Sequence, residues 1–391
     1  MTPSRRFIPT LVARRRALHV ARRLLRASHA ALPALLGAAL VASAGLSTQA
    51  LARHGAPSAP PALLSSAPAD GASPQQQARW LQRIADAATR LDYEGTFVNQ
   101  REGTVQSFRI THAAGPGDDG YLQVDALDGT PRTTLTHLGR RLTFLPGRKT
   151  LMIAAQQDAA VFPSLFKPTG VDALLDVYSV RPLGTHRVAG RSCELTELRP
   201  KDALRFTYRF CADSATGLLL SAQTVDRQDV VLEQVAFTGL RIGGLGETER
   251  LALERRYNER NGWQVIDVPT VAALGPAVNA AGSAAAGDAR RLNCDVPGFR
   301  KLGEWRQAMA ARAPGQAPVS VVQAVFGDGV TGVSVFLEPV GTSNRQARQV
   351  RSGATNLIAE QHGEQWVTVV GEAPIETLQR FASSLEYKAA K

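Results

Sequence analysis

From Ser73 to Leu91 apolar residues recur at three- and four-residue steps. Trp80, Leu81, Ile84, Ala88 and Leu91 draw a single stripe along a helix. Ser73 is placed as its N-cap, Pro74 as its first helical residue, and Gln76 completes the capping-box spacing. Gly95 is expected to end the helical register. From Thr96 to Gln100 the pattern changes to period two, Glu102-Gly103 reads as a turn, and 104–112 as a second strand with Phe108 and Ile110 on one face. Turn residues then separate short strands at 121–127, 133–138, 142–145 and 149–154. The stretch 162–166, with Pro163 inside it, reads as a loop. A short helix follows over 171–178, with Leu174, Leu175 and Tyr178 on one side. Strands resume at 185–188, 192–198, 204–212, 218–226 and 230–242. About ten strands at this spacing, with two helices, predict an antiparallel sheet curled around helices.

Beyond residue 250 the pattern breaks. The charge run 254–260 reads as a solvated connector, and 280–287, built from Ala, Gly and Ser, has linker composition. Periodicity returns near Cys294. Strands at 319–326 and 331–337 flank Gly327-Asp328-Gly329, and strands at 355–360 and 365–370 flank His362-Gly363, two hairpin signals. Pro374 opens a last helix whose stripe is Ile375, Leu378, Phe381 and Leu385. The fold class expected is α+β: a curled N-terminal sheet with plugging helices, then a smaller α+β domain of about 100 residues, a division that 391 residues favour. The borders are placed at 1–52 for a signal peptide, 53–72 for a flexible lead, 73–245 for the first domain, 246–290 for a linker with an insertion, and 291–391 for the second domain.

Charge changes this picture only at the start. Eight of the eleven net positive charges are arginines within residues 1–52, which hold no acidic residue, and three remain for the rest. The basic balance therefore belongs to a targeting segment and does not argue for nucleic acid. An apolar stretch from about Ala30 to Leu46 and the small residues Ala50-Leu51-Ala52 complete a secretory signal, favoured over an uncleaved anchor. Export permits disulfides. Cys193 and Cys211 lie equidistant from residue 202, so a simple hairpin places them opposite each other; two buried free thiols are the alternative. Cys294 is then the odd cysteine, a buried small hydrophobe or an exposed thiol.

Catalytic signatures do not emerge. Gly115, Gly117 and Gly120 match a dinucleotide fingerprint by spacing. That motif must open a helix onto a pyrophosphate, whereas here Pro116 lacks an N–H, Asp118 and Asp119 would repel phosphate, and a strand follows. The histidines His54, His112, His137, His186 and His362 have no metal-ligand spacing, and no cofactor motif is present. What remains is apolar surface. Phe97, Phe108, Tyr121, Phe144, Phe162 and Phe166 are either the core of the first domain or the lining of a cavity for an acyl chain.

The stretch Leu91 to Arg101, Leu-x-Tyr-x-Gly-Thr-Phe-Val-x-Gln-Arg, resembles the opening of the RseB/MucB family. Stretches 187–191, 208–210, 216–220, 232–234 with 237–238, and 367–372 with Pro374 follow in the family's order, so the resemblance spans about residues 77–391. It implies a half-open barrel like that of the lipoprotein carriers LolA and LolB. It also implies a periplasmic regulator that binds the periplasmic part of a membrane anti-sigma factor of the RseA/MucA type. Such a regulator shields that segment from site-1 proteolysis and is released by a lipid or lipopolysaccharide signal. The partner would engage the second domain, with Val322, Phe326, Phe336 and Trp366 as the contact candidates, and a homodimer is allowed. The other function weighed is a periplasmic lipid or lipoprotein carrier using the first domain alone; an enzyme is not expected.

Overall fold

The capping box at Ser73 is formed. The Ser73 hydroxyl accepts from the Gln76 amide at 3.3 Å, and the Gln76 side chain accepts from the Ser73 amide at 2.8 Å. Helix α1 (Pro74–Arg90) follows and buries Trp80, Leu81, Ile84, Ala85, Ala87 and Ala88. It ends five residues before Gly95, because Leu91 is already extended and strand β1 (Tyr93–Arg101) begins at Tyr93. Gly95 serves a different purpose: a Cβ there would lie 2.3 Å from the Gly239 carbonyl oxygen of the neighbouring strand. The computed structural model describes residues 71–116, 119–155, 162–166, 171–267, 290–309, 319–340 and 346–389, all within the unit Leu64–Lys391. The expected signal peptide, most of the flexible lead, the greater part of the insertion, and Gly117 and Asp118 lie outside the described residues.

One antiparallel run makes up most of a twelve-stranded open sheet. After β1 come β2 (Thr104–Ala113), β3 (Tyr121–Ala126), β4 (Thr133–His137), β5 (Arg140–Leu145) and β6 (Thr150–Ala155). Helix α2 (Val171–Val177) leads into β7 (Tyr178–Val188), β8 (Arg191–Pro200), β9 (Thr207–Asp213), β10 (Leu219–Val225) and β11 (Val231–Ile242). With β12 (Gln264–Asp267) at one edge, the spatial order is β12-β6-β5-β4-β3-β2-β1-β11-β10-β9-β8-β7, so β1 joins two meanders through its pairing with β11. The sheet curls, and α1 and α2 pack on its inner side with Tyr178, Leu198, Tyr208 and Phe210.

The tract expected as linker carries structure over its first part. Helix α3 (Glu247–Asn258) buries only Leu253, and β12 (Gln264–Asp267) pairs in parallel with β6. The helix is held by arginines instead of an apolar stripe. Arg250 reaches both Asp92 carboxylate oxygens at 2.7 and 2.6 Å and the Ala114 carbonyl at 2.8 Å. Arg256 lies over the Phe144 ring at 4.2 Å.

A second, six-stranded sheet has the order β14-β15-β16-β19-β18-β17. Its strands are β14 (Arg300–Met309), β15 (Val319–Gly327), β16 (Gly332–Pro339), β17 (Arg348–Ser352), β18 (Thr355–His362) and β19 (Gln365–Gly371). Helix α4 (Ile375–Ser383) covers one face with Leu378 and Phe381. Leu385 is not part of that helix. It opens β20 (Leu385–Ala389), which pairs with β13 (Arg290–Cys294) and brings both ends of this domain together.

Candidate functional site

The six aromatic residues proposed for a cavity are distributed over three packed groups. Phe97 stacks on Phe108 at 5.1 Å and touches Phe162 at 5.3 Å, with Phe237 closing the group. Phe166 packs on Phe210 beside Trp80 and Tyr178, and Phe162 bridges to it. Phe144 and Tyr121 stand apart, with Leu142, Leu151 and Leu253, under α3 and Trp263. Phe144 is fully buried, so it is core and not a cavity wall. An open groove of about 600 Å³ runs along α1, lined by Arg79, Arg83, Asp86, Arg90, Val171 and Asp172 among others, and none of the six lines it.

The partner candidates divide between the two faces of the second sheet. Val322 and Phe326 lie in the core under α4, which withdraws them from any partner. Phe336 and Trp366 alternate out of register with the core residues Val335 and Val367 and so stand on the opposite face. Cys193 and Cys211 are joined by a disulfide with 5.4 Å between their Cα atoms. The hairpin is centred one residue later than expected: Cys211 pairs with Leu195, and Cys193 with Asp213, so the bridge runs diagonally. Cys294 is partly buried, and burial pushes its thiol up to about 12, against the pull of Lys301.

The most structured polar site is the junction between the two sheets. The β15, β16, β17, β18 and β19 ends that converge at Asp328, Gly353 and Glu372 all belong to one end of the second sheet. They meet a single transverse row of the first, in which Leu198, Tyr208, Thr224, Glu233 and Arg101 are successive register partners on five strands. The second sheet thus stands end-on against the first.

At the centre is Arg205, with 0% exposure. Its Nε donates to Asp328 Oδ2 at 2.7 Å, another guanidinium nitrogen donates to Asp202, and Nη2 donates to the Pro297 carbonyl at 2.8 Å. The plane lies over Phe299 at 4.5 Å. Asp328 also accepts from the Tyr178 hydroxyl at 3.2 Å and, through Oδ1, from the Val330 and Thr331 amides. The Tyr208 and Thr331 hydroxyls are bonded at 2.7 Å. Burial raises the Tyr178 and Tyr208 hydroxyls well above the usual phenol range, which keeps them neutral. Gly298, at φ +74, fits beside this cluster because a Cβ would lie 2.4 Å from Arg205 Nη2. At the far end, Glu102 accepts from the Gly353 amide at 2.8 Å, and Arg101 pairs with Glu233 at 2.8 Å. This arrangement offers no nucleophile with a base. It is a docking contact with a buried charge at its centre.

Two family descriptions match the chain in sequence: the MucB/RseB N-terminal domain over residues 76–257 and the MucB/RseB C-terminal domain over residues 290–386. The chain belongs to the MucB/RseB family. Relatives include the sigma factor AlgU regulatory protein MucB of Pseudomonas aeruginosa, 28% identical over 80% of this chain and 91% of that protein. The sigma-E factor regulatory protein RseB of Haemophilus influenzae is 24% identical over 79% of this chain and 90% of its own length. Among solved structures, MucB in complex with MucA(peri) superposes with a TM-score of 0.59 at 26% identity, over 80% of this chain and 99% of that one. The match to the N-terminal domain runs to residue 257, within α3.

Proposed function

We propose that this chain is a periplasmic regulator of the envelope stress response that holds the periplasmic part of a membrane anti-sigma factor and shields it from site-1 proteolysis. The observation that carries this is a two-domain likeness to MucB bound to MucA(peri), spanning both sheets in one alignment. Phe336, half-buried on the face of the second sheet away from α4, is the side chain we assign to the partner; Trp366 lies on the same face but is buried, as Val322 and Phe326 are on the other. A lipid or lipopolysaccharide signal would act on the first domain. The apolar groups under α1 and α2 supply the matching chemistry of acyl chains, and the groove along α1 sets Arg79, Arg83 and Arg90 beside Asp86 and Asp172. A carrier acting through the first domain alone would not need a second sheet fastened to it by a buried ion pair.

The test is protease protection. Protein from residue 53 onward is mixed with the periplasmic segment of its own anti-sigma factor and the site-1 protease, with and without lipopolysaccharide. Protection that lipopolysaccharide relieves is the expected outcome. Absence of binding and protection would refute the reading and favour the carrier.

A further inference from the structure

The apolar group beneath α1 and α2 holds polar atoms of two kinds. The Tyr178 and Tyr208 hydroxyls, at its junction end, are bonded to Asp328 and Thr331. The Trp80 indole N–H and the Thr196 hydroxyl belong to residues buried as deeply, at 1% and 0% exposure, and neither has a hydrogen-bond partner among the described residues. Both sit in one place. Trp80 of α1 packs in the same group as Leu198 and Phe210. Thr196 is the register partner of Phe210 and lies two residues from Leu198 on β8, so it shares their face. Buried polar groups without partners are few in native proteins, and each calls for an explanation. Packing supplies none here, since phenylalanine and valine would offer similar apolar bodies without burying a donor. The open groove along α1 abuts this place: Ala78 of α1 and Val171 of α2 line the groove and also pack with the inner group.

We infer that the first domain takes a chain attached through a neutral acyl carbonyl, and that Trp80 Nε1 and Thr196 Oγ1 donate to that carbonyl oxygen. An indole N–H only donates and a hydroxyl can donate, so one carbonyl oxygen, with two lone pairs, accepts from both. An ionised carboxylate fits less well, because burying its charge in an apolar group costs far more than burying a neutral carbonyl. The Arg83 guanidinium, 5.7 Å from the centre of the Trp80 ring, is held by the Ser214 and Ala215 carbonyls at the β9–β10 turn. This rests on the reading of the first domain as a site for acyl chains and sharpens it. The two atoms select an acylated molecule over a plain alkyl chain of equal length and over a free fatty acid. The bonds gained are those the carbonyl makes and an ether oxygen in its place does not, a preference of about tenfold.

The experiment is titration calorimetry on the chain from residue 53 onward, with monodecanoylglycerol, its ether analogue monodecyl glyceryl ether, and decanoate, each below its micelle concentration. The wild type is expected to bind the ester about tenfold more tightly than the ether and more tightly than decanoate. Trp80→Phe and Thr196→Val should each shrink the preference for the ester over the ether, by weakening the ester and leaving the ether unchanged. A Trp80→Phe protein with disturbed packing would weaken both probes together, and Thr196→Val, which keeps the side-chain shape, then carries the test. Thr196→Val should also melt no lower than the wild type, since its hydroxyl bonds nothing in the absence of ligand. Equal affinities for ester and ether in the wild type, a preference for decanoate, a preference for the ester that survives both substitutions, or a lower melting temperature in Thr196→Val would overturn the inference and leave the acyl reading standing. Binding of none of the three would overturn both, while the protease test would still report on the anti-sigma partner alone.

Discussion

Removing Arg205 tests whether the two sheets are fastened by their central charge pair. Losing one partner of a buried ion pair costs about 3–5 kcal/mol, because the other charge is stranded away from water. In Arg205→Ala the stranded group is Asp328, which keeps the Tyr178 hydroxyl and the Val330 and Thr331 amides as donors. The cost should fall near the lower end, about 3 kcal/mol. Asp328→Ala leaves Arg205, at 0% exposure, only Asp202 and the Pro297 carbonyl as acceptors, and it also frees the Tyr178 hydroxyl and two turn amides; it should fall near the upper end, about 5 kcal/mol. At about 2–4 °C per kcal/mol for a chain of this size, the melting shifts are roughly 6–12 °C and 10–20 °C. Scanning calorimetry is the assay, since a two-domain chain need not melt in one step. With the fastening lost, the second sheet should melt in a transition of its own. The double variant should be less destabilised than the sum of the singles by about 2 kcal/mol or more, the signature of a direct pair. Shifts below about 3 °C in both single variants, with additive effects, would refute the reasoning.

Two further outcomes concern the cysteines. Denatured, unreduced protein should titrate one thiol per chain, that of Cys294, and non-reducing peptide mapping should recover Cys193 linked to Cys211; two free thiols at those positions would contradict the bridge. Cys193→Ser with Cys211→Ser should lower stability by about 3 kcal/mol, as expected for a loop of this length. Because its thiol is pushed up to about 12, native Cys294 should react with iodoacetamide at pH 8 more than about tenfold slower than in denaturant. Equal rates would show that the thiol is exposed.

Much of this architecture is legible in the sequence, and the failures share a cause. Helix α1 could be read to its cap because its signal is apolar and local. Helix α3 could not, because it attaches through Arg250 to Asp92 and through Arg256 to Phe144, contacts invisible to a hydrophobic period. Strand β12 is four residues long, with Val265 and Ile266 adjacent, and lies at the edge of the sheet, so it shows no alternation. The diagonal disulfide follows from β8 continuing to Pro200, which moves the centre of the hairpin. Among site residues, the junction was missed. One signal was available: Arg205 stands between Leu204 and Phe206, and a lone charge in an apolar run must find a buried partner. Asp328, in a turn read only as a hairpin cue, is that partner.

The end-on docking also explains how two domains of ordinary size can communicate without a long pathway. Val330, in the β15–β16 turn, packs against the same inner group of the first sheet that contains Trp80, Phe166, Tyr178 and Tyr208. Leu204, beside Arg205, packs in return against the core of the second domain. Val330 and Leu204 therefore bring the two cores into contact on either side of the buried ion pair. Close-packed cores transmit displacement instead of absorbing it. A ligand that displaced Tyr178 or Tyr208 would disturb the turn that carries Val330, since both hydroxyls are bonded to it. Coupling between sites requires only that such a ligand favour one arrangement of this turn over another by about 1–3 kcal/mol. One hydrogen bond such as Tyr208 to Thr331 is of that size, since a net contribution near 1 kcal/mol is typical. Tyr208→Phe should then weaken the effect of a first-domain ligand on the second domain while leaving each domain folded. Melting transitions followed with and without lipopolysaccharide would detect this, and an undiminished ligand response in Tyr208→Phe would place the coupling elsewhere.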